Sequence, residues 1–209
     1  MKLLNKQICH KNLTQTDIVV FDEKNSQYII DYILDGIIPF TYNMRPEKIY
    51  IYSPVLFIFI KLLCKINLWN LLRNITKPRH LYAQLFHKYR LACFAVLSPK
   101  VVITFIDNSR EYHMLCKDYK NAQFFAIQNG NRTKYEFEMV GNKYFLQHYF
   151  CFGEYEKDRF NKFGHFVKYF HPIGSLLYGI YKNNGVNYNK IKYDIGIVSC
   201  FSIKSVRKE

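Results

Sequence analysis

Residues 101–108, Val-Val-Ile-Thr-Phe-Ile-Asp-Asn, and residues 122–132, Ala-Gln-Phe-Phe-Ala-Ile-Gln-Asn-Gly-Asn-Arg, decide the predicted fold. Each stretch is a short apolar run that stops abruptly in polar residues, which is typical of buried parallel strands. Open α/β sheets bind their ligands at the carboxyl ends of such strands. The polar residues after the two runs are therefore expected to line one crevice for a polar, anionic or sugar-like ligand. They are Asp107, Asn108, Asn129, Gly130 and Arg132.

The same alternation extends over most of the chain. Strands are predicted at 17–22, 37–42, 101–106, 124–127, 149–152 and 167–170, and helices at 23–34, 53–73, 80–97, 109–119 and 154–163. Residues 131–145 are predicted as a polar connection. Pro39 favours an edge position for the second strand, and Gly164 is placed just after a helix C-terminus. Strands that alternate with helices predict an α/β fold with a Rossmann-like parallel sheet and flanking helices.

The sequence is expected to contain one whole domain and the beginning of a second. Residues 1–178 form the Rossmann-like domain, 179–192 read as a linker, and 193–209 begin with a new apolar strand at 193–199. The chain ends ten residues after that strand. A strand that opens a second domain with so little after it indicates a truncated two-domain protein.

The composition favours anionic partners without choosing among them. The 209 residues carry a formal net charge of +14, which suits nucleic acid, anionic lipid or phosphorylated ligands. An A/T-rich genome would produce the same excess of lysine, so the charge is weaker evidence for an anionic partner than its size suggests. The six cysteines form no CxxC pair, and the N-terminus has no apolar stretch long enough for a signal peptide. Reduced thiols in a cytoplasmic protein are therefore expected.

Residues 49–66 are the most apolar stretch, but Pro54, Lys61 and Lys65 interrupt it. A membrane span needs about 20 apolar residues, so a span is not predicted. One interpretation is a buried helix with Ser53 as N-cap and Pro54 at its first position. The other is an amphipathic surface helix whose basic residues face anionic lipid. These are Lys61, Lys65, Arg73 and Lys77.

Several common catalytic motifs are absent from the sequence. There is no GxGxxG, GxxxxGK[ST], HExxH or GxSxG, and no Asp-x-Asp pair. The seven histidines lack metal-ligand spacing. No cofactor and no metal site are predicted.

The candidate residues each have a second interpretation. Asp107 is either a general base at a helix N-terminus or, like Asn108, a helix cap. Asn129-Gly130 is either an ordinary turn or a close backbone approach to a ligand beside Arg132, which would pair with phosphate or carboxylate. Gly174-Ser175 is either a loop before a helix or an anion-binding helix N-terminus. In segment 45–47, Arg45 belongs either to a surface pair or to a ligand clamp.

Five segments, taken in order, resemble a known family. They are Asp-Ile-Val-Val-Phe-Asp22, Val-Ile-Thr-Phe-Ile-Asp107-Asn108, Ile-Gln128-Asn129-Gly130-Asn-Arg132, Phe-Cys-Phe-Gly153 and Ile-Gly174-Ser175. Together they resemble a bacterial surface carbohydrate biosynthesis family of capsule and lipopolysaccharide loci. That family is similar to GT-B glycosyltransferases and, more distantly, to CDP-glycerol glycerophosphotransferases. The resemblance covers about residues 16 to 200.

The resemblance implies an acceptor-binding first domain, a donor-binding second domain and metal-independent transfer. Teichoic-acid-type enzymes carry His-Gly where this chain has Asn129-Gly130. Because asparagine cannot act as a base, Asp107 becomes the candidate catalytic residue. Substrate binding is assigned to the residues that follow the strands: Asp22, Arg45, Asn108, Gln128, Asn129, Gly130, Arg132, Gly153, Gly174 and Ser175.

The leading hypothesis is a glycosyltransferase-like protein of surface polysaccharide synthesis. It would use a nucleotide-activated donor and a glycan or lipid-linked acceptor, and it is expected to be inactive alone because the donor domain is missing. It is placed in the cytoplasm, with peripheral contact to the anionic inner face of the membrane as an option. The second hypothesis is a non-catalytic lobe that binds a glycan or nucleotide-sugar, or half of a split enzyme. Nucleic-acid binding is the third and is not favoured, because no recognisable motif accompanies the dispersed charge.

Overall fold

The computed structural model describes residues 7–9, 12–22, 26–42, 48–65, 78–132 and 143–183. The strands in these ranges are β1 (Gln7–Cys9), β2 (Ile18–Phe21), β3 (Phe40–Tyr42), β4 (Lys48–Tyr50), β5 (Val101–Thr104), β6 (Gln123–Ile127), β7 (Phe145–Cys151) and β8 (Phe166–Pro172). The helices are α1 (Ser26–Tyr32), α2 (Ser53–Cys64), α3 (Pro78–Leu97), α4 (Arg110–Asp118), α5 (Tyr155–Lys162) and α6 (Leu176–Asn183).

Six strands form one parallel sheet in the order β3-β2-β5-β6-β7-β8. The predicted Rossmann-like α/β fold is confirmed, and β3 lies at the sheet edge as Pro39 indicates. The strand order reverses at β2, which has β3 on one side and the later strand β5 on the other. In open α/β sheets this reversal opens a crevice beyond the carboxyl ends of the strands.

The period-2 alternation of the strands separates two cores. Val19 and Val102 point to the larger core, where α3, α4 and α5 also pack. Val20 and Ile103 point to the smaller core, which α1 shares and against which Leu176 of α6 packs. Successive side chains of a strand face opposite sides of the sheet. A strand with apolar residues at both odd and even positions is therefore covered on both faces.

Helix α2 lies outside this sandwich and packs against α3. Its Val55 is fully buried in the larger core. Tyr52 is the N-cap, so the prediction of Ser53 as N-cap is wrong by one residue, while Pro54 does lie in the first turn. There its missing N–H costs no helical hydrogen bond. None of the described helices has the combined length and hydropathy to cross a bilayer.

Three differences from the predicted elements concern short or mixed segments. Strands β1 and β4 form a separate parallel pair of three residues each, too short to show periodicity. Strand β7 begins at Phe145, inside the predicted connection, because Gln147 and His148 break its apolar pattern. Helix α6 continues to Asn183, five residues into the predicted linker, and the predicted strand at 193–199 lies outside the described residues.

Candidate functional site

The cluster at the carboxyl edge of the sheet, called the edge cluster below, consists of Asp107, Gln128, Asn129, Arg132 and Tyr149. Asp107 follows β5, Tyr149 lies within the last half of β7, and the other three belong to the loop after β6. Because these three strands are parallel neighbours, their carboxyl ends meet at one edge. Residues far apart in the chain are thereby brought into direct contact.

Asp107 is the centre of the edge cluster. Its Oδ1 accepts a hydrogen bond from Nη2 of Arg132 and a longer one from the backbone amide of Asn129 at 3.4 Å. Its Oδ2 accepts from the Tyr149 hydroxyl at 3.0 Å. Only 2% of the Asp107 surface and 8% of the Arg132 surface are exposed. The two opposite charges therefore compensate each other inside the protein, as buried charges must.

The loop after β6 is fastened at both ends. Nη2 of Arg132 also donates to Oδ1 of Asn129 at 2.5 Å. The side chain of Gln128 donates to the Gly130 carbonyl at 3.1 Å and accepts from the Phe152 amide at 2.8 Å. These bonds give the loop one defined shape, so Arg132 is presented at a fixed position.

Thr104 at the end of β5 connects this edge to β2, the strand at which the strand order reverses. Its hydroxyl donates to the Phe21 carbonyl of β2 at 2.9 Å and accepts from the Ile106 amide at 3.0 Å. Thr104 is fully buried. The turn that carries Asp107 is therefore held against the end of β2 through one side chain.

A cavity of about 380 Å³ adjoins the edge cluster, and Arg132 belongs to both. It is lined by Asn131, Arg132, Tyr155, Arg159, Lys162 and Phe163. Arg159 of α5 donates to the Arg132 carbonyl and, at 3.1 Å, to Oδ1 of Asn131. Its guanidinium also lies 5.6 Å from the centre of the Tyr155 ring and 3.4 Å from Glu156 Oε1.

Among the residues that the structure describes, three basic side chains and no acidic one line this cavity, called the basic cavity below. Two of these cations have carboxylate partners outside the lining, since Arg132 pairs with Asp107 and Arg159 with Glu156. Cationic side chains in a concave surface attract anions, and arginine binds phosphate and carboxylate through paired N–H groups. The rings of Tyr155 and Phe163 add apolar surface beside the cations. The lining therefore suits an anionic molecule that also has a flat or weakly polar part.

Burial and the pairing of opposite charges both shift the pKa values of the edge cluster. Burial raises the pKa of Asp107 above the ordinary value, against the opposing charge and hydrogen bond of Arg132. Burial would lower the pKa of Arg132, but the charge of Asp107 raises it. Burial and the neighbouring Asp107 charge raise the pKa of the Tyr149 hydroxyl well above its usual range. Arg132 thus stays cationic, Tyr149 stays a hydrogen-bond donor, and Asp107 is more basic than an exposed aspartate.

The structure brings only some of the predicted residues together. Asn108 lies beside Asp107 but is exposed. Asp22 is buried after β2, where its amide donates to the Tyr42 carbonyl at 2.9 Å. Gly153 starts the turn before α5, and its carbonyl accepts from Glu156 at 3.2 Å. Arg45 lies outside the described residues.

Gly174 and Ser175 connect β8 to α6. Gly174 has φ +90°, a left-handed conformation that favours glycine. The Ser175 hydroxyl accepts from the Tyr178 amide at 3.3 Å, as an N-cap does. Residues 174–175 thus form a loop at the N-terminus of α6, and anion binding at this terminus stays a prediction.

Two interpretations of the central residues are corrected. Ser109 caps α4, because its hydroxyl accepts from the Tyr112 amide at 3.2 Å, so the capping role for Asp107 and Asn108 is wrong. Gly130 does not adopt a positive φ, and a Cβ there would lie 3.9 Å from Arg132 Nη1, an ordinary contact. Glycine at this position is therefore not explained by turn geometry.

Sequence reasoning missed Tyr149, Tyr155, Arg159 and Lys162. Tyr149 was assigned to a strand without a role, because a tyrosine in an apolar run is usually core. Arg159 and Lys162 are three residues apart on a helix that starts at the same sheet edge after β7, so they share one face of that helix. That spacing was the available signal for a basic surface.

The described residues contain no group of three or more His, Cys, Asp or Glu side chains arranged to hold a metal ion. Comparisons of the chain with protein-family models, curated proteins and solved structures found no match.

Proposed function

We propose that this chain is a carbohydrate-binding lobe that takes a phosphorylated or carboxylated sugar, or a sugar-like polyol phosphate, in the basic cavity. The observation that carries the proposal is the juxtaposition of Arg132, Arg159 and Lys162 in one cavity, which adjoins the carboxyl edge of a Rossmann-like sheet through Arg132. This is the edge at which such sheets bind their ligands.

The size and chemistry of the basic cavity support a small anionic ligand. Its volume of about 380 Å³ lies at the lower end of the roughly 300–1,000 Å³ typical of small-molecule sites. Guanidinium groups can pair with phosphate or carboxylate oxygens, while Tyr155 and Phe163 can pack against the apolar face of a sugar ring. Asn131 supplies an amide for a hydroxyl group.

Asp107 acts in this proposal as a positioning residue. Both of its oxygens already accept hydrogen bonds, and three of roughly four lone-pair positions are engaged by Arg132, Asn129 and Tyr149. Its carboxylate holds the guanidinium of Arg132 and the start of the loop that carries it. The role of Asp107 as a general base stays a prediction, which its raised pKa supports and its burial opposes.

The wider role follows from the sequence resemblance. We propose that the lobe serves the acceptor side of a GT-B-like transferase in surface polysaccharide synthesis. In that reaction an acceptor hydroxyl attacks the anomeric carbon of a nucleotide-activated sugar, the nucleoside diphosphate leaves, and the hydroxyl proton passes to a base. The edge cluster and the basic cavity would orient the acceptor for this attack.

Calorimetric titration of the purified chain tests the binding proposal. Glucose 1-phosphate and glucuronic acid are expected to bind, and glucose, the matched neutral sugar, is expected to bind at least tenfold more weakly. Each charge-assisted hydrogen bond is worth about 1.5–3 kcal/mol, so loss of one accounts for roughly a tenfold or larger change.

Variants on α5 supply the matched control. Lys162→Gln removes a cation of the basic cavity, whereas Lys157→Gln removes an exposed cation of the same helix that does not line it. We expect Lys162→Gln to weaken binding of glucose 1-phosphate about three- to tenfold and Lys157→Gln to leave it unchanged. Equal binding of glucose and its phosphate, or equal effects of the two variants, would contradict the proposal.

Asp107→Asn separates the two roles of Asp107. If Asp107 is a positioning residue, we expect the variant to bind glucose 1-phosphate more weakly and to show a changed NMR signal of the Arg132 Nε–H group. If Asp107 is a general base, we expect unchanged binding. Only the turnover in a transferase assay with a complementary donor lobe should then fall. Unchanged binding with an unchanged Arg132 signal would overturn the positioning role.

A further inference from the structure

The solvent side of α2 is apolar along a continuous helical stripe, called the α2 stripe below: Leu56, Phe57 and Ile60. These side chains are 39%, 71% and 59% exposed. Spacings of one, three and four residues place them on one face. Lys61, exposed Cys64 and exposed Lys65 follow at the C-terminal end of the same face. The outer face of α2 thus combines three exposed apolar side chains with two cations.

The opposite face of α2 already has its packing partner. Val55 is fully buried, and Ile58, Phe59 and Leu62 pack against the larger core. The ring of Phe59 lies 6.0 Å from that of Tyr89 in α3. The position of α2 is thus determined by its inner face, and folding does not require the outer residues to be apolar.

The stretch of sequence that contains α2 carries charge of one sign. Between Glu47 and Asp107 the sequence contains no Asp or Glu, while it contains nine Lys or Arg residues. A general lysine bias would add positive charge throughout the chain but would not remove all acidic residues from one span of the sequence. The α2 stripe therefore lies in the most uniformly basic part of the sequence.

We infer that the α2 stripe is a docking surface for an anionic lipid bilayer, with Leu56, Phe57 and Ile60 inserted at the level of the headgroups and Lys61 and Lys65 beside lipid phosphates. Interfacial helices combine these two features, an apolar face and flanking cations. A second copy of the chain fits poorly, because two surfaces of the same positive charge repel each other. A nucleic acid would neutralise the lysines but would leave the apolar side chains in contact with phosphate and water.

Vesicle flotation tests this inference with the full chain. Wild-type protein is expected to float with vesicles of phosphatidylcholine and 30% phosphatidylglycerol and to remain unbound with phosphatidylcholine alone. Phe57→Asp/Ile60→Asp is expected to lower the partition coefficient at least tenfold, and Lys61→Glu/Lys65→Glu about tenfold. Tyr178→Asp is the matched control, because Tyr178 is 59% exposed on α6, whose Leu176 packs against the smaller core on the other side of the sheet.

Three results would overturn the inference. The first is wild-type protein that binds neither type of vesicle. The second is equal binding by Phe57→Asp/Ile60→Asp and Tyr178→Asp. The third is a concentration-dependent dimer, seen by light scattering, that the Phe57→Asp/Ile60→Asp substitutions dissociate, since the α2 stripe would then belong to a second copy. Circular dichroism of each variant confirms that it is folded, and the titrations of the basic cavity are independent of all three results.

Discussion

The edge cluster and the α2 stripe depart from the usual distribution of side chains in opposite directions. In the edge cluster, Asp107 and Arg132 are charged and buried, whereas on α2 the side chains of Phe57 and Ile60 are apolar and exposed. Buried polar groups and exposed apolar patches are the two arrangements that folding alone does not favour. We therefore relate the first region to a small anionic ligand and the second to a lipid surface.

The two regions should also differ in what a substitution changes. Every charge of the edge cluster has a partner within the protein, so removal of one partner leaves the other buried and unpaired. The side chains of the α2 stripe contribute little to the core, so their removal should affect binding and leave the free energy of unfolding nearly unchanged.

Asp107→Ala should give the largest loss of stability. The guanidinium of Arg132 would remain buried without its carboxylate partner, which costs about 3–5 kcal/mol. Urea unfolding, followed by circular dichroism, measures the difference. The double variant Asp107→Leu/Arg132→Leu should recover a large part of this loss, because it removes both charges, and a double variant less stable than Asp107→Ala would contradict a paired cluster.

Thr104→Val should give the second largest effect. Valine has nearly the same shape as threonine, but the Phe21 carbonyl and the Ile106 amide would each lose a buried hydrogen bond. The expected cost is about 1–3 kcal/mol in the same urea experiment. Thr14→Val, at an exposed position, is the control and should stay within about 0.5 kcal/mol of wild type.

Buried histidines beside the start of β7 should contribute to the pH dependence of stability. Burial lowers the pKa of His113 to about 3, so the folded protein keeps it neutral where the unfolded chain, at the ordinary value of 6.5, takes up a proton. The unfolded state then binds more protons, so stability falls as pH decreases from 6.5 towards 3, by about 1.4 kcal/mol per pH unit.

His113→Gln should reduce this slope by about 1.4 kcal/mol per pH unit, which corresponds to one proton fewer taken up on unfolding. The free energy of unfolding at successive pH values measures the slope. His165, which burial and Lys143 shift to a pKa of about 4, would account for part of the remaining slope. An unchanged slope in His113→Gln would show that His113 is not the titrating group.

The smallest effect is expected on α2. Phe57→Asp/Ile60→Asp should change the free energy of unfolding by no more than about 0.5 kcal/mol, because both side chains are mostly exposed. Val55→Ala on the opposite face of the same helix should cost about 1–3 kcal/mol through lost burial and a cavity. Equal losses for the two faces would contradict the distinction between a packed face and a docking face.

Much of the fold could be predicted from the sequence because its central strands are continuous apolar runs. Residues 101–106 and 124–127 stand out as buried strands since side chains on both faces are apolar. Strand β7 and the separate pair of β1 and β4 gave weaker signals. In β7, Gln147 and His148 lie on partly exposed positions, and the pairing of β1 with β4 depends on contacts over about 40 residues that no local pattern contains.

The site was less predictable than the fold. The rule that ligands meet the carboxyl ends of strands correctly placed Asp107, Asn129 and Arg132 near one another. It could not show that Asp107 and Arg132 bind each other, since partner choice depends on side-chain direction. It also could not show that Arg159 comes from a helix to the same edge, because the contact joins residues 27 positions apart.

NMR mapping tests the central claim most directly, because it shows where on this chain an anionic sugar binds. Glucose 1-phosphate is titrated into isotope-labelled protein, and the side-chain Nε–H signals of Arg132 and Arg159 are followed together with the backbone amides of α2. We expect both arginine signals to shift in a saturable manner, with no change along α2 and no shift on addition of glucose. Arginine signals that stay fixed while the sugar phosphate perturbs α2, or no saturable shift in any signal, would contradict the account.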